Sequence, residues 1–175
     1  YYTEQKIVVD MLKNIKPNNN TTFLDPCCGC GNFILEAIAK GVKVENIYGF
    51  DTDPVAIEIT KQRIYHKTGE FPQNIVCADF LDVAQLLDKK FDLIYTNPPW
   101  GKKIPKIDKE KLSSLYKTGK STDSCSLFIF ASMQLLTKGG SLGFLLPESV
   151  LNIATFQSLR ELFLSLSIQE IKNYG

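Results

Sequence analysis

The sequence predicts a doubly wound α/β fold with a mostly parallel sheet, on three observations. Short apolar runs recur, and most of them end in an acid: Thr22–Asp25, Asn46–Asp51 and Asn74–Phe80, joined by Phe91–Tyr95, which leads into Asn97. Segments with helical apolar spacing separate these runs. Glycine and proline punctuate the junctions. Strands alternating with helices in one chain indicate parallel β-α-β units. At 175 residues the chain is one domain, large enough for a substantial core.

Each element can be justified in order. Ile7, Val8, Val9, Met11, Leu12 and Ile15 form an amphipathic run, and Pro17 to Thr21 is a polar linker. Phe23–Leu24–Asp25 is a strand, followed by the turn Pro26-Cys27-Cys28-Gly29-Cys30-Gly31-Asn32 and a helix carrying Phe33, Ile34, Ala37 and Ile38. Gly29 and Gly31 allow a tight turn and close approach of a ligand. A dinucleotide fingerprint would need a third glycine where Ile34 stands, which disfavours NAD. A second strand ends at Asp51, twenty positions after Gly31, where a carboxylate can accept both hydroxyls of a ribose. Asp53 and Pro54 open the next helix as N-cap and first residue. A third strand, Asn74 to Phe80, ends in an acid beside an aromatic, a pair able to hold an adenine. Ser124 to Leu136 reads as a helix capped by Asp123 and stopped by Lys138-Gly139-Gly140. Ser141 to Leu146 reads as a strand, Val150 to Leu166 as helical segments, and Ile168 to Tyr174 as a last strand.

Asn97-Pro98-Pro99-Trp100 carries the most chemistry. Each proline fixes its own φ and restricts the residue before it, so the Asn97 amide and the Pro98 carbonyl can be aimed rigidly. Two such acceptors suit a planar NH₂ group, with the Trp100 face stacking on the ring that bears it. A proline turn followed by a core Trp is the plainer alternative. Three strand-end acids upstream favour the site, because ligands of open α/β sheets bind outside the carboxyl ends of the strands.

The series Asp25-Pro-Cys-Cys-Gly-Cys-Gly-Asn-Phe33, Asp51, Asp79-Phe80 and Asn97-Pro-Pro-Trp100 resembles the S-adenosylmethionine-dependent amino-methyltransferases of DNA, and most of all the gamma-type N6-adenine enzymes of restriction–modification systems. Tyr2-Thr3-Glu4 with the run behind it resembles their N-terminal cofactor segment, placed ahead of the glycine loop as in the gamma order. The resemblance implies the Rossmann-like, seven-stranded type of sheet of class I methyltransferases, lacking its last strand or strands. It implies one catalytic domain over 1–175, without the target-recognition domain. S-adenosyl-L-methionine would be the cofactor. Asp25 and the backbone of Cys27, Cys28, Gly29 and Gly31 would hold its methionine end, with Thr3 and Glu4 closing over it. Asp51 would bind the ribose, and Asp79 with Phe80 the adenine. Asn97 and Pro98 would accept from the target amine, Pro99 would stiffen the corner, and Trp100 would stack on the base. The partner would be double-stranded DNA with the target base flipped out. A restriction or specificity partner is compatible with this family and is not specified by these residues.

Trp100 departs from the Tyr or Phe usual after Pro-Pro and is more familiar in N4-cytosine relatives, which usually carry Ser where Asn97 stands. The reaction is therefore better defined than the base. Cytosine, an RNA base and a protein glutamine remain alternative substrates, and a non-catalytic cofactor- or DNA-binding module is a reading of another class.

A net charge of +1 favours neither presence nor absence of nucleic acid. Its distribution says more: seven lysines lie between Gly101 and Lys120, against Asp108 and Glu110. This segment, 101–120, is expected to be a mobile basic loop that either contacts phosphates or is simply solvated. Five cysteines without paired zinc spacing and one histidine, His66, predict no metal site and reduced thiols in a cytosolic protein. No membrane span or signal peptide is apparent. A chain that opens on Tyr1 rather than Met is expected to be part of a longer protein.

Overall fold

The structure is a computed structural model that describes residues 3–101 and 104–175; Tyr2 of the N-terminal motif, and Lys102 and Lys103 of the basic segment, lie outside the described residues. Among the described residues, β1 (Phe23–Asp25), β2 (Ile47–Asp51), β3 (Ile75–Cys77), β4 (Phe91–Thr96) and β5 (Leu136–Phe144) form one parallel sheet in the order β3-β2-β1-β4-β5. The winding reverses between β1 and β4, which pair as Phe23 with Leu93 and Leu24 with Ile94. That reversal opens a crevice at the carboxyl ends of the two strands.

Strand alternation builds the two layers. Phe23 and Leu93 face one side, where they are buried with Val8 and Leu12 of α1 (Gln5–Met11 and its cap), Ile34 and Ala37 of α2 (Asn32–Ala39), and Ile57 and Ile64 of α3 (Pro54–Thr68). Leu24 and Ile94 face the other side, with Phe80 of α4 (Phe80–Val83), Tyr116 of α5 (Lys106–Tyr116), and Leu127 and Phe128 of α6 (Ser124–Gln134). A third, smaller cluster joins Ile129 to Val150, Phe156 and Leu159, the last on α7 (Gln157–Leu164).

The expected caps form. Asp53 Oδ1 accepts from the Val55 amide at 2.9 Å, Pro54 is the first residue of α3, and Gly69 closes that helix at φ +77°. Asp123 Oδ1 accepts from the Ser126 amide at 3.0 Å at the head of α6.

Four expectations are corrected. The third strand stops at Cys77, because Asp79 accepts from the Leu81 amide at 3.0 Å and starts α4 there. Much of the 101–120 segment is the helix α5 rather than a loop, since Ile104, Leu112 and Tyr116 find apolar cover in the α4–α6 layer. Lys138-Gly139-Gly140 does not separate a helix from a strand: it lies inside β5, at an irregularity between the pairs Phe91–Leu136 and Leu93–Ser141. Ile168 to Tyr174 forms no strand. Side-chain contacts hold it against α1 instead, with Lys172 Nζ and Tyr174 Oη donating to Asp10 at 2.5 and 2.7 Å, and these two groups hold the Asp10 carboxyl down to about 2.

Gly143 is the most crowded of the glycines. It pairs with Tyr95, whose ring atoms lie 2.4 Å from where a Cβ on Gly143 would stand, and the Tyr95 hydroxyl is tied to Ser141 Oγ at 2.9 Å. A rigid ring held at its far end cannot yield as a flexible side chain would. Gly143→Ala is expected to destabilise the domain by about 1–3 kcal/mol through overpacking, measurable as a lower denaturation midpoint in urea.

Candidate active site

Five contacts fold the turn between β1 and α2. The Cys28 amide donates to the Phe50 carbonyl at 2.8 Å, docking the turn on β2. The Gly31 amide donates to the Cys28 carbonyl at 2.7 Å, and the Gly29 amide to Asp51 Oδ2 at 2.8 Å. Thr60 Oγ1 donates to the Gly29 carbonyl at 2.8 Å, and Arg63 donates to the Cys30 carbonyl. Gly31 is required twice over. Its φ is +83°, and a Cβ there would lie 2.8 Å from Thr60 Cγ2.

Asp25 sits at the crevice and is fully buried. Its Oδ1 accepts from Thr96 Oγ1 at 2.6 Å and from the Cys27 amide at 3.1 Å, while Oδ2 has no partner among the described residues. Burial, reinforced by the nearby Asp51 charge and opposed by the Thr96 and Cys27 bonds, pushes its carboxyl up to about 7. Burial also raises the Cys27 and Cys28 thiols, which keeps both neutral. The cysteines at 27, 28, 30, 77 and 125 are all free thiols.

Across the crevice, Asn97 Nδ2 donates to Thr3 Oγ1 at 3.2 Å, and Asn97 Oδ1 is buried without a partner among the described residues. The corner is braced from α6, where Ser124 Oγ donates to the Pro99 carbonyl at 2.7 Å, and Pro98 is buried. Trp100 is not a core residue. It is 44 % exposed, and its indole N–H donates to the Leu145 carbonyl at 3.2 Å, so the ring is anchored at the rim.

The expected residues do not all arrive as foreseen. Thr3, Asp25, Gly29, Gly31, Asp51 and Asn97 are brought together. Both Asp51 oxygens accept backbone N–H groups, from Gly29 at 2.8 Å and Asp53 at 3.0 Å, so this acid braces the turn with lone pairs to spare. The Glu4 carboxylate pairs with Lys6 at 2.8 Å on the surface. The Phe80 ring is 1 % exposed between Phe50 and Phe128 and offers no open face, because α4 turns it inward. Thr96, Thr60, Asn32, Arg63 and Ser124 were not anticipated. One signal was available: Thr60 and Arg63 are one helical turn apart, and Arg63 is one of only two arginines in a lysine-rich chain.

Two hollows lie elsewhere. One of about 280 Å³ is bounded by Gln85, Tyr116 and Gln134, and one of about 430 Å³ by Lys16, Asp92 and Lys138. Neither joins Asn97 to the glycine turn. That gap is spanned by the Thr3 segment, whose carbonyl accepts from Asn32 Nδ2 at 2.9 Å. Among the described residues no cluster of His, Cys, Asp and Glu is placed to hold a metal, and no helix is long and apolar enough to cross a membrane.

The buried Asp25 makes stability depend on pH. Between its ordinary value of 3.8 and about 7 the unfolded chain carries this group ionised while the folded chain keeps its proton. Its contribution is therefore complete at low pH and is lost as pH rises through that window. Asp25→Asn preserves the acceptor and removes the titration. Its stability relative to wild type is expected to rise from pH 3.8 to about 7 and level off above, in denaturation curves taken across pH.

A sequence profile of the N-6 DNA methylase family matches residues 1–163. The Type II methyltransferase M.VspI of Vibrio sp. (strain 343) is 43% identical over 176 residues, covering 100% of this chain and 43% of that protein. The chain spans less than half the length of the curated relatives it matches first. A modification subunit of a putative type I restriction enzyme from Vibrio vulnificus YJ016 superposes with a TM-score of 0.76 at 21% identity, over 93% of this chain and 38% of that one. A putative class I S-adenosylmethionine-dependent methyltransferase from Listeria monocytogenes superposes at 0.64 and 24%, over 92% and 50%. These likenesses show the fold, the Rossmann-like sheet of class I methyltransferases. The profile match over nearly the full length and the whole-chain identity to M.VspI carry the assignment further: the chain belongs to the N-6 DNA methylase family.

Proposed function

We propose that this chain is the donor-binding and methyl-transferring part of an adenine-specific DNA methyltransferase, acting on the exocyclic N6 amine of a flipped base. The observation that carries this reading is the buried, unpartnered Oδ1 of Asn97. A buried acceptor left unsatisfied costs about 1–3 kcal/mol, and a substrate N–H would recover that cost.

The sheet order supports the donor. Following β3-β2-β1-β4, the strand tips present Asp79, Asp51, Asp25 and Asn97 in that spatial order. Three interstrand steps span about 14 Å. Adenine at Asp79, ribose at Asp51 and the methionine end by Asp25 and the Thr3 segment would place the reacting end of S-adenosylmethionine beside Asn97. The fit rests on residues present here: the open space where a Cβ on Gly29 would stand, the orphaned Asp25 Oδ2, and the orphaned Asn97 Oδ1. When bound, S-adenosylmethionine supplies a methyl group activated by its sulfonium.

The remaining work falls to the chain. An aryl amine is a poor nucleophile because its lone pair is delocalised into the ring. Asn97 Oδ1 and the Pro98 carbonyl would each accept one of its N–H bonds, drawing the nitrogen toward a tetrahedral geometry and stabilising the positive charge that develops there. The prolines and Ser124 hold these acceptors in place in advance. Trp100 offers an aromatic face to the base, and a base within a duplex reaches the corner only if flipped. Asn rather than Ser at position 97 favours adenine over cytosine. The α5 lysines would meet phosphates next to the corner. Recognition of the DNA sequence would belong to a further domain or to a restriction or specificity partner, and the setting would be cytoplasmic.

The test is incubation of the full-length protein with labelled S-adenosylmethionine and unmethylated DNA, with mass spectrometry of the product. N6-methyladenine is expected, and Asn97→Ala should lower its formation by about 100-fold or more while retaining donor binding. Equal turnover in that variant, or label on another group, would overturn the reading. Replacing Lys106, Lys109 and Lys111 by Ala should weaken DNA binding, and each lost phosphate contact should flatten the slope of log K against log salt by about 0.9.

A further inference from the structure

Asn97 is held by a series of hydrogen bonds that starts at Arg63 and runs through Asn32 and Thr3. Arg63 of α3 donates to Asn32 Oδ1 at 2.9 Å and also to the Cys30 carbonyl. With its oxygen so engaged, the Asn32 amide has one orientation left, and its Nδ2 donates to the Thr3 carbonyl at 2.9 Å. Thr3 Oγ1 in turn accepts from Asn97 Nδ2 at 3.2 Å. Each member comes from a different element: α3, the head of α2, the N-terminal segment and the end of β4.

We propose that Arg63 and Asn32 are positioning residues: they hold Thr3 against Asn97 so that the Thr3 hydroxyl anchors the Asn97 side chain with Oδ1 left for the target amine. The proposal rests on the methyl-transfer reading above. The two ends of an amide have nearly the same shape, so packing alone does not choose between them. An Asn97 turned the other way would meet the amine donor to donor. The Thr3 hydroxyl can accept from Nδ2 or donate to Oδ1, so it anchors the amide in either sense, and its acceptance from Nδ2 is the state that leaves Oδ1 open for the substrate. Arg63 is placed at a cost, since a cation beside the amino end of a helix opposes its dipole. Among the described residues no carboxylate forms an ion pair with it that would explain its place otherwise.

The experiment uses the full-length protein and three readouts: single-turnover methyl transfer at saturating donor, donor affinity by calorimetry, and hydrogen exchange of the Asn97 side-chain amide by NMR. Thr3→Val, Arg63→Met and Asn32→Asp, which keeps the Arg63 contact but sets an oxygen against the Thr3 carbonyl, should each slow transfer about tenfold. The slowing should exceed any loss of donor affinity and be accompanied by faster exchange at Asn97. Thr3→Ser should restore both. Unchanged exchange in Thr3→Val, or failure of Thr3→Ser to restore rate and exchange, would overturn the proposal. Wild-type protein that methylates no adenine would instead overturn the function, and the exchange measurement would still decide whether the relay holds.

Discussion

β1 and β4 pair in parallel at the point where the winding of the sheet reverses, although β2 and β3 lie between them in the chain. The rest of the site depends on that pairing. It sets Asp25 beside Thr96 at 2.6 Å and brings the Asn-Pro-Pro corner to the end of the glycine turn. Without it the donor half and the acceptor half of the site would be separate surfaces. The pairing is secured from both faces, by Phe23 and Leu93 against α1–α3 and by Leu24 and Ile94 against α4–α6.

A core this apolar makes polar atoms conspicuous, because an unpaired buried polar group is costly and uncommon. Asp25 Oδ2 and Asn97 Oδ1 are two of the three such side-chain atoms among the described residues, the third being Ser132 Oγ. Both stand at the reversal of the sheet. Sites whose rigid walls leave acceptors unsatisfied are organised for a ligand before it arrives, which is the arrangement electrostatic stabilisation of a developing charge requires.

The fold was largely legible because its signals are local. The strands that end at Asp25 and Asp51 and lead into Asn97, the Asp53–Pro54 and Asp123 caps and the glycine turn each act over a few residues, and these appear where expected. The errors fall where distant contacts compete with local preference. Lys106 to Tyr116 reads as charged loop, yet Leu112 and Tyr116 gain cover from a layer assembled by other elements. Ile168 to Tyr174 reads as a last strand but is held through Lys172 and Tyr174 by Asp10 of α1. Phe80 looked like a ligand-facing aromatic, and only the short helix capped by Asp79 shows that it turns inward.

The amino-acid order by itself determined the fold class, the strand-end placement of Asp25, Asp51 and Asn97, and the chemistry those side chains offer, since each follows from spacing along the chain. Only the tertiary structure decided that Asp51 braces the turn, that Glu4 pairs with Lys6, and that Arg63, Asn32 and Thr3 run in series to Asn97. Hydrogen bonds between elements far apart in sequence leave no periodic trace. They exist once the sheet has closed the distance.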